Sequence, residues 1–252
     1  MPGTRFRHVA RTATVIRLAI ASGHGRLPFL IGLSALIFIP LGLLDAVDEA
    51  AGGIDTDRLD DLELIAITAE TAVHVGSALL GQVLFAGAVS IAVLSTPPGE
   101  GPSLRRVIRQ TRWGALIAID LLFTAGMMVS LLLLVVPALF FFARYVLAAV
   151  LAEIEELGVS DSFRRSAQLT LGSRRLVFGI LFTAAVVGDL GTELAKEVIQ
   201  QAGVDTFLAN WLAASGVEIL FNPILALLAV ALALELGADP VSPSGRGPDP
   251  QR

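Results

Sequence analysis

Cysteine is absent from the 252 residues, so no disulfide framework, thiolate nucleophile or cysteine-held metal can be built. Histidine is nearly as scarce, and His8, His24 and His74 are too scattered for a zinc site. Lysine is reduced to Lys196, the other seventeen basic residues being arginine. Charge of either sign is thin: charged residues make up 16% of the chain and apolar residues 54%, with a mean hydropathy of +0.75. A soluble domain carries nearer a quarter of its residues charged, so this composition excludes an ordinary water-soluble protein and places the chain in lipid. No strands are expected, and with them goes the strand-then-helix setting of a glycine-rich phosphate loop. No catalytic, metal or nucleotide motif rises above chance. Neither a cofactor nor a nucleic-acid partner is expected.

What the chain has in quantity is long apolar runs, and a spanning helix takes about 20 mostly apolar residues. Such runs lie at about 27–44 and 71–95. The stretch from Trp113 to Leu151 is nearly continuous. At about 1.5 Å per residue it is about twice the length of one crossing. It reads as two passes hinged near Pro137, at about 113–136 and 138–152. Two more passes follow at about 176–194 and 211–235. The expectation is an all-α polytopic membrane bundle with six transmembrane helices. Because Val135-Val136-Pro137-Ala138 lacks the Gly or Asn that tight turns prefer, a single kinked helix giving five passes is the rival.

Arginine sets the orientation, since short loops rich in Arg and Lys stay cytoplasmic. Arg5, Arg7, Arg11, Arg17 and Arg26 precede the first run; Arg105, Arg106, Arg109 and Arg112 lie between the second and third. Arg164, Arg165, Arg174 and Arg175 separate the fourth from the fifth, and Arg246 and Arg252 end the tail. The other side carries Asp45, Asp48, Glu49, Asp55, Asp57, Asp60 and Asp61 against Arg58. Both termini are therefore expected in the cytoplasm, in a multi-pass protein of the bacterial cytoplasmic (inner) membrane. Residues 1–26 read as a basic amphipathic segment, retained because no small-residue cleavage pattern follows. The Pro-, Gly- and Ser-rich tail, 237–252, reads as disordered.

Each basic segment has the pattern of a short amphipathic elbow helix on the cytoplasmic side. Phe6, Val9, Ala10, Ala13, Ile16 and Ile20 recur at helical spacing in the first. In the second, Ser103 is the expected cap of a stripe made by Leu104, Val107, Ile108 and Thr111. In the third, Ser160 or Asp161 is the expected cap, Phe163 and Ala167 are expected to face lipid, and Gly172 is the stop. Ser103-Leu104-Arg105-Arg106 and Ser162-Phe163-Arg164-Arg165 share one pattern. Membrane lipids are the expected partners, with Arg105, Arg106, Arg164 and Arg165 reaching anionic headgroup phosphates.

The run from Pro137 through Arg144 and Glu153 to Arg165-Ser166, Leu169 and Gly172 resembles the signature of six-span bacterial membrane proteins related to the membrane domain of glycerophosphoryl diester phosphodiesterase. In that group a proline ends one span, an arginine sits in the next and a glutamate closes it. An "A-x-x-R-S-x-x-L-x-x-G" helix follows; Ser162 stands here where alanine is usual. The resemblance covers roughly residues 100–185 well and the rest in layout. It implies a six-span fold and no hydrolase activity, because the catalytic part of those enzymes is a separate soluble domain.

Ionisable residues inside spans are costly and usually face the bundle interior. Arg144, Glu70, His74, Asp189, Glu218 and Asn222 fall at similar expected depths and form the candidate intramembrane polar cluster. As a cavity it would bind a small ion or lipid headgroup around Arg144. Alternatively, Arg144 pairs with Glu218 or Asp189 and only fixes packing. Asp120 is expected to reach the interface or an elbow arginine, and Glu153, Glu155 and Glu156 to pair with arginines of the following elbow. The function expected is a membrane scaffold or envelope-associated partner without enzymatic activity, possessing a homo-oligomeric or membrane-complex partner; the alternative is a small-solute, ion or lipid transporter using the Arg144 cluster.

Overall fold

A computed structural model describes residues 3–50, 81–97, 100–202 and 206–240. Among them every element is helical: α1 (Gly3–Gly23), α2 (Leu27–Ala50), α3 (Gln82–Leu94), α4 (Leu104–Gln110), α5 (Trp113–Leu133), α6 (Val135–Tyr145), α7 (Ala148–Ile154), α8 (Val159–Thr170), α9 (Arg174–Gln201) and α10 (Phe207–Glu235). Four stretches are long and apolar enough to cross a bilayer: Trp113–Leu133, Val135–Ile154, Arg174–Gln201 and Ser215–Glu235. Taken as one bent unit, Arg11–Gly23 with Leu27–Pro40 supplies a fifth. This is a helical bundle of membrane-spanning composition.

The chain turns by 88° between α1 and α2. Gly25 makes this corner with φ 74°, a left-handed conformation that costs glycine little. At Gly23 an added Cβ would lie 2.9 Å from Leu227 Cδ1, so the corner sits directly against α10. Val15 and Ala19 of α1 and Leu30, Leu33 and Phe38 of α2 are buried in the cluster that α10 also enters.

The short helix α3 lies at the centre of the bundle. Nine of its residues, from Val83 to Ala92, are buried, and it packs against α5, α7 and α10. The sequence suggests a single continuous helix over 71–95, but Gly81 adopts φ 88° and α3 begins only after it. Residues 51–80 lie outside the described ones, so the upper part of that expected span is not placed.

Between α5 and α6 the chain reverses at Leu134, where one extended residue replaces a loop. The rings of Phe123 and Phe142 come within 6.3 Å. Nineteen residues apart, they would be separated by about 28 Å in a continuous helix, so the two arms form a hairpin and not one kinked rod. The hinge lies three residues before Pro137. Proline instead occupies the first turn of α6, where Ala138 N–H makes the first bond, to the Leu134 carbonyl; the amide that proline lacks has no acceptor there in any case. Gly126 lets the arms close, since a Cβ there would overlap the ring of Phe141. Gly126→Leu is therefore expected to destabilise the protein by about 2 kcal/mol through overpacking, read as a lower thermal midpoint in detergent.

The third basic helix, α8, does not present Phe163 and Ala167 to lipid. Ala167 is buried, and Phe163 packs edge-on against Tyr145 at 5.5 Å. Its inner face is a line of small residues, Ser162, Ser166, Ala167 and Thr170, which lets the backbone approach α6 and α7 closely. Ser103 holds the expected N-cap position of α4, without a side-chain hydrogen bond, whereas α8 starts after Gly158, ahead of Ser160 and Asp161, with Ser162 Oγ donating to the Gly158 carbonyl.

Candidate functional site

Polar side chains in the interior are used first to close joints between helices. At the α1–α2 corner, Arg26 is only 3% exposed. Its guanidinium donates to the carbonyls of Ser22 and Thr96, tying the end of α1 to the residues after α3. At the base of the α5–α7 hairpin, Glu153 Oε1 accepts the backbone N–H of Arg112 at 3.0 Å, and Arg112 itself donates to the Leu157 carbonyl at 2.9 Å. These bonds hold the start of α5 beside the end of α7.

A second joint links three elements around Glu155. Arg165 of α8 donates to both carboxylate oxygens through Nε and Nη2, at 2.9 to 3.1 Å. The same guanidinium reaches the Gly237 carbonyl, and Glu155 also accepts the Asp239 N–H. Hydrogen bonding to Glu155 holds the Arg165 guanidinium above its usual pKa, more than offsetting the effect of burial. Planar, two-pronged pairing of this kind suits arginine and not lysine. Glu155 thus meets the expectation of a pairing with the following elbow, while Arg165 is committed internally and is not a free lipid-phosphate contact. Arg164 pairs at the surface with Asp161 at 2.7 Å. Arg105 and Arg106 are exposed beside Arg109.

Inside the bundle, Asp120 is 3% exposed. Its Oδ2 accepts the Gly81 N–H at 2.8 Å, and the amides of Val83 and Leu84 face the same carboxylate. It therefore caps the start of α3 and reaches neither the interface nor an elbow arginine. A helix start leaves amides without intrahelical acceptors, and an anion there is favoured by the helix dipole. The sequence hides this because the cap lies 39 residues away from the helix it serves.

A groove of about 800 Å³ runs along α9 and α10. The α9 side is carved by small residues, Gly179, Ala184, Ala185 and Gly188, with Thr183 and Thr192 among them. Gln82, Glu218 and Asn222 line it from α3 and α10, and Arg175 and Thr12 lie on its wall. Asn222 is 7% exposed, and its Nδ2 has no hydrogen-bond partner among the described residues. A smaller cavity of about 60 Å³ continues inward between Phe142, Val146 and Leu181, again touching Asn222.

Of the expected polar cluster, the side chains of Arg144, Glu218 and Asn222 are among the described residues, and two of these come together. Glu218 and Asn222 share the groove. Arg144 is not among its lining residues; its guanidinium stacks over the Tyr145 ring at 5.4 Å, and its carbonyl accepts Ser166 Oγ at 2.8 Å where α6 gives way to α7. Asp189 lies on α9 with its side chain undescribed, and Glu70 and His74 lie outside the described residues. Among the described residues no group of acidic, histidine or cysteine side chains could hold a metal ion. Sequence reasoning missed Arg175, Gln82 and the small-residue face of α9. Regular spacing of Arg175, Gly179 and Thr183 was the available signal. No family model matches the chain, and no curated protein or solved structure matches it.

Proposed function

We propose that this is a non-enzymatic integral protein of the bacterial inner membrane, crossing it six times with both termini cytoplasmic, and serving as a membrane scaffold or envelope-associated partner. The observation that carries this reading is the use of the interior polar groups. Arg26, Asp120, Glu153 and Glu155 each bind backbone of another helix or loop, which is how a bundle fixes its own shape. Basic helices α1, α4 and α8 act in this reading as cytoplasmic elbows; the right-angled corner after α1 and the exposed Arg105 and Arg106 support that placement. The likeness to six-span relatives of the glycerophosphoryl diester phosphodiesterase membrane domain is kept within this proposal, without their hydrolase activity. A second copy or a membrane-complex partner would complete the scaffold. Transport centred on Arg144 is the weaker alternative, because Arg144 does not line the groove that Glu218 and Asn222 share.

The cysteine-free chain makes single-cysteine labelling clean. Ser162 is buried and unsuitable, whereas Arg164, Arg105 and Leu134 are exposed. An impermeant maleimide is expected to label Leu134→Cys in intact cells, and Arg105→Cys and Arg164→Cys only after permeabilisation. Labelling of Arg164→Cys from outside would overturn the six-pass topology. A flux of a water-soluble solute through proteoliposomes, lost in a folded Glu218→Gln variant, would replace the scaffold with a transporter.

A further inference from the structure

Beyond a scaffolding role, we propose that the groove along α9 and α10 is a path for phospholipid headgroups, by which the protein lets lipids exchange between leaflets. The barrier to such exchange in a bare bilayer is the transfer of a charged head through hydrocarbon. A furrow open to lipid and lined with polar groups lowers that barrier, because the head moves within it while the acyl chains remain in the bilayer.

Several features of the groove fit that task. From Arg175 to Thr192 it follows eighteen residues of α9, a rise of about 25 Å against a hydrocarbon thickness of about 30 Å. The polar residues are spread along this length: Arg175 near one end, Thr183 and Gln82 farther in, then Asn222, Glu218 and Thr192. Arg175, Gly179, Thr183 and Val187 lie on one exposed face, at the four-residue spacing that keeps side chains on one side of a helix. The missing side chain at Gly179 leaves open space, with nothing within 4 Å of an added Cβ. The neighbouring wall is apolar and exposed, including Phe182, Val186 and Val187, which suits contact with acyl chains.

The charges match a zwitterionic head. Arg175 offers a phosphate two or more donors. The amide of Asn222, buried and without a partner among the described residues, offers another donor deep in the groove. A buried donor left unpaired is costly, and a passing phosphate would satisfy it. The Glu218 carboxylate borders the same stretch, where a headgroup amine would follow its phosphate.

The test is a leaflet-exchange assay in proteoliposomes of phosphatidylethanolamine and phosphatidylglycerol carrying a trace of fluorescent phosphatidylethanolamine, with dithionite added outside. Without a path only the outer leaflet bleaches, about half the signal; with the protein, bleaching is expected to approach completion. Gly179→Leu places a side chain in the open furrow and favours the helix, so it is expected to fold normally and slow exchange by about tenfold. Asn222→Leu, which removes the deep donor, is expected to slow it comparably. Arg175→Gln should slow it by about fivefold, the effect of one interfacial charge. Bleaching that stops at half with the wild-type protein overturns the proposal, as does exchange at the wild-type rate in folded Gly179→Leu. So does a spontaneous disulfide between Ala184→Cys and Val73→Cys, which would show the chain's own segment to be the occupant.

Discussion

Glu155→Ala is expected to lower the unfolding free energy by about 2–3 kcal/mol. Removing one member of a buried ion pair costs about 3–5 kcal/mol, because the other charge is left without compensation. Here the side chains of Glu155 and Arg165 are 12% and 30% exposed, so water screens part of the loss and the cost falls below that of a fully buried pair. The carboxylate also holds the Asp239 N–H, and its partner holds the Gly237 carbonyl. The same substitution should therefore loosen the end of α10, where Gly237 takes φ 98°. Two measurements check this: the thermal midpoint in detergent, and the rate of proteolytic cleavage around residues 237–240. Glu155→Gln, which keeps one acceptor, should lose about half as much. If Glu155→Ala falls within about 0.5 kcal/mol of wild type, the pair behaves as an ordinary surface contact and the joint is held by something else.

The all-helical character and the apolar arms could be read from hydropathy because burial in lipid leaves a long, local signature. The hairpin was legible in the same way, since the run from Trp113 to Leu151 is too long for one crossing. Its hinge falls three residues from the proline that marks it, because a helix start tolerates proline and the reversal needs only one extended leucine. The orientation of α8 is concealed in the sequence for a related reason. Apolarity marks Phe163 and Ala167 as outward in a lipid setting, but close packing against a neighbouring helix selects small hydroxyl residues, and Ser162, Ser166 and Thr170 carry that signal at four-residue spacing.

The polar interior was the least legible part. Depth along a span can be counted from the sequence, yet rotation about the helix and the choice of neighbour cannot. Counting residues brings Arg144 level with Glu218, whereas packing turns Arg144 toward Tyr145 and α8. Glu155 and Arg165 could be paired on paper because only ten residues separate them. Arg26 and Thr96, seventy residues apart, could not. The groove escaped notice because its defining feature is missing side-chain volume at Gly179 and Gly188, and glycines in an apolar helix are commonplace.

Asp120 carries the largest expected effect of a single substitution in the interior. Asp120→Ala should destabilise the protein by about 3 kcal/mol, and Asp120→Asn by about 1 kcal/mol. α3 starts inside the bundle at Gly81, so its first amides cannot turn to water. Each buried amide left without an acceptor costs about 1–3 kcal/mol, and the carboxylate serves Gly81 N–H directly while facing the amides of Val83 and Leu84. Asparagine keeps an acceptor oxygen at the same place and gives up mainly the attraction of a full charge to the helix dipole. Alanine gives up both. Hydrogen exchange at Gly81, Val83 and Leu84 should accelerate in the alanine variant well before the rest of α3, because the lost bond is local to the first turn. Equal stability of the two variants would show that the amides find another acceptor and that Asp120 does not set where α3 begins. A difference of the expected size means that an acid in a span, which composition alone marks as a functional suspect, is here the residue that allows a helix to begin in the middle of the bundle.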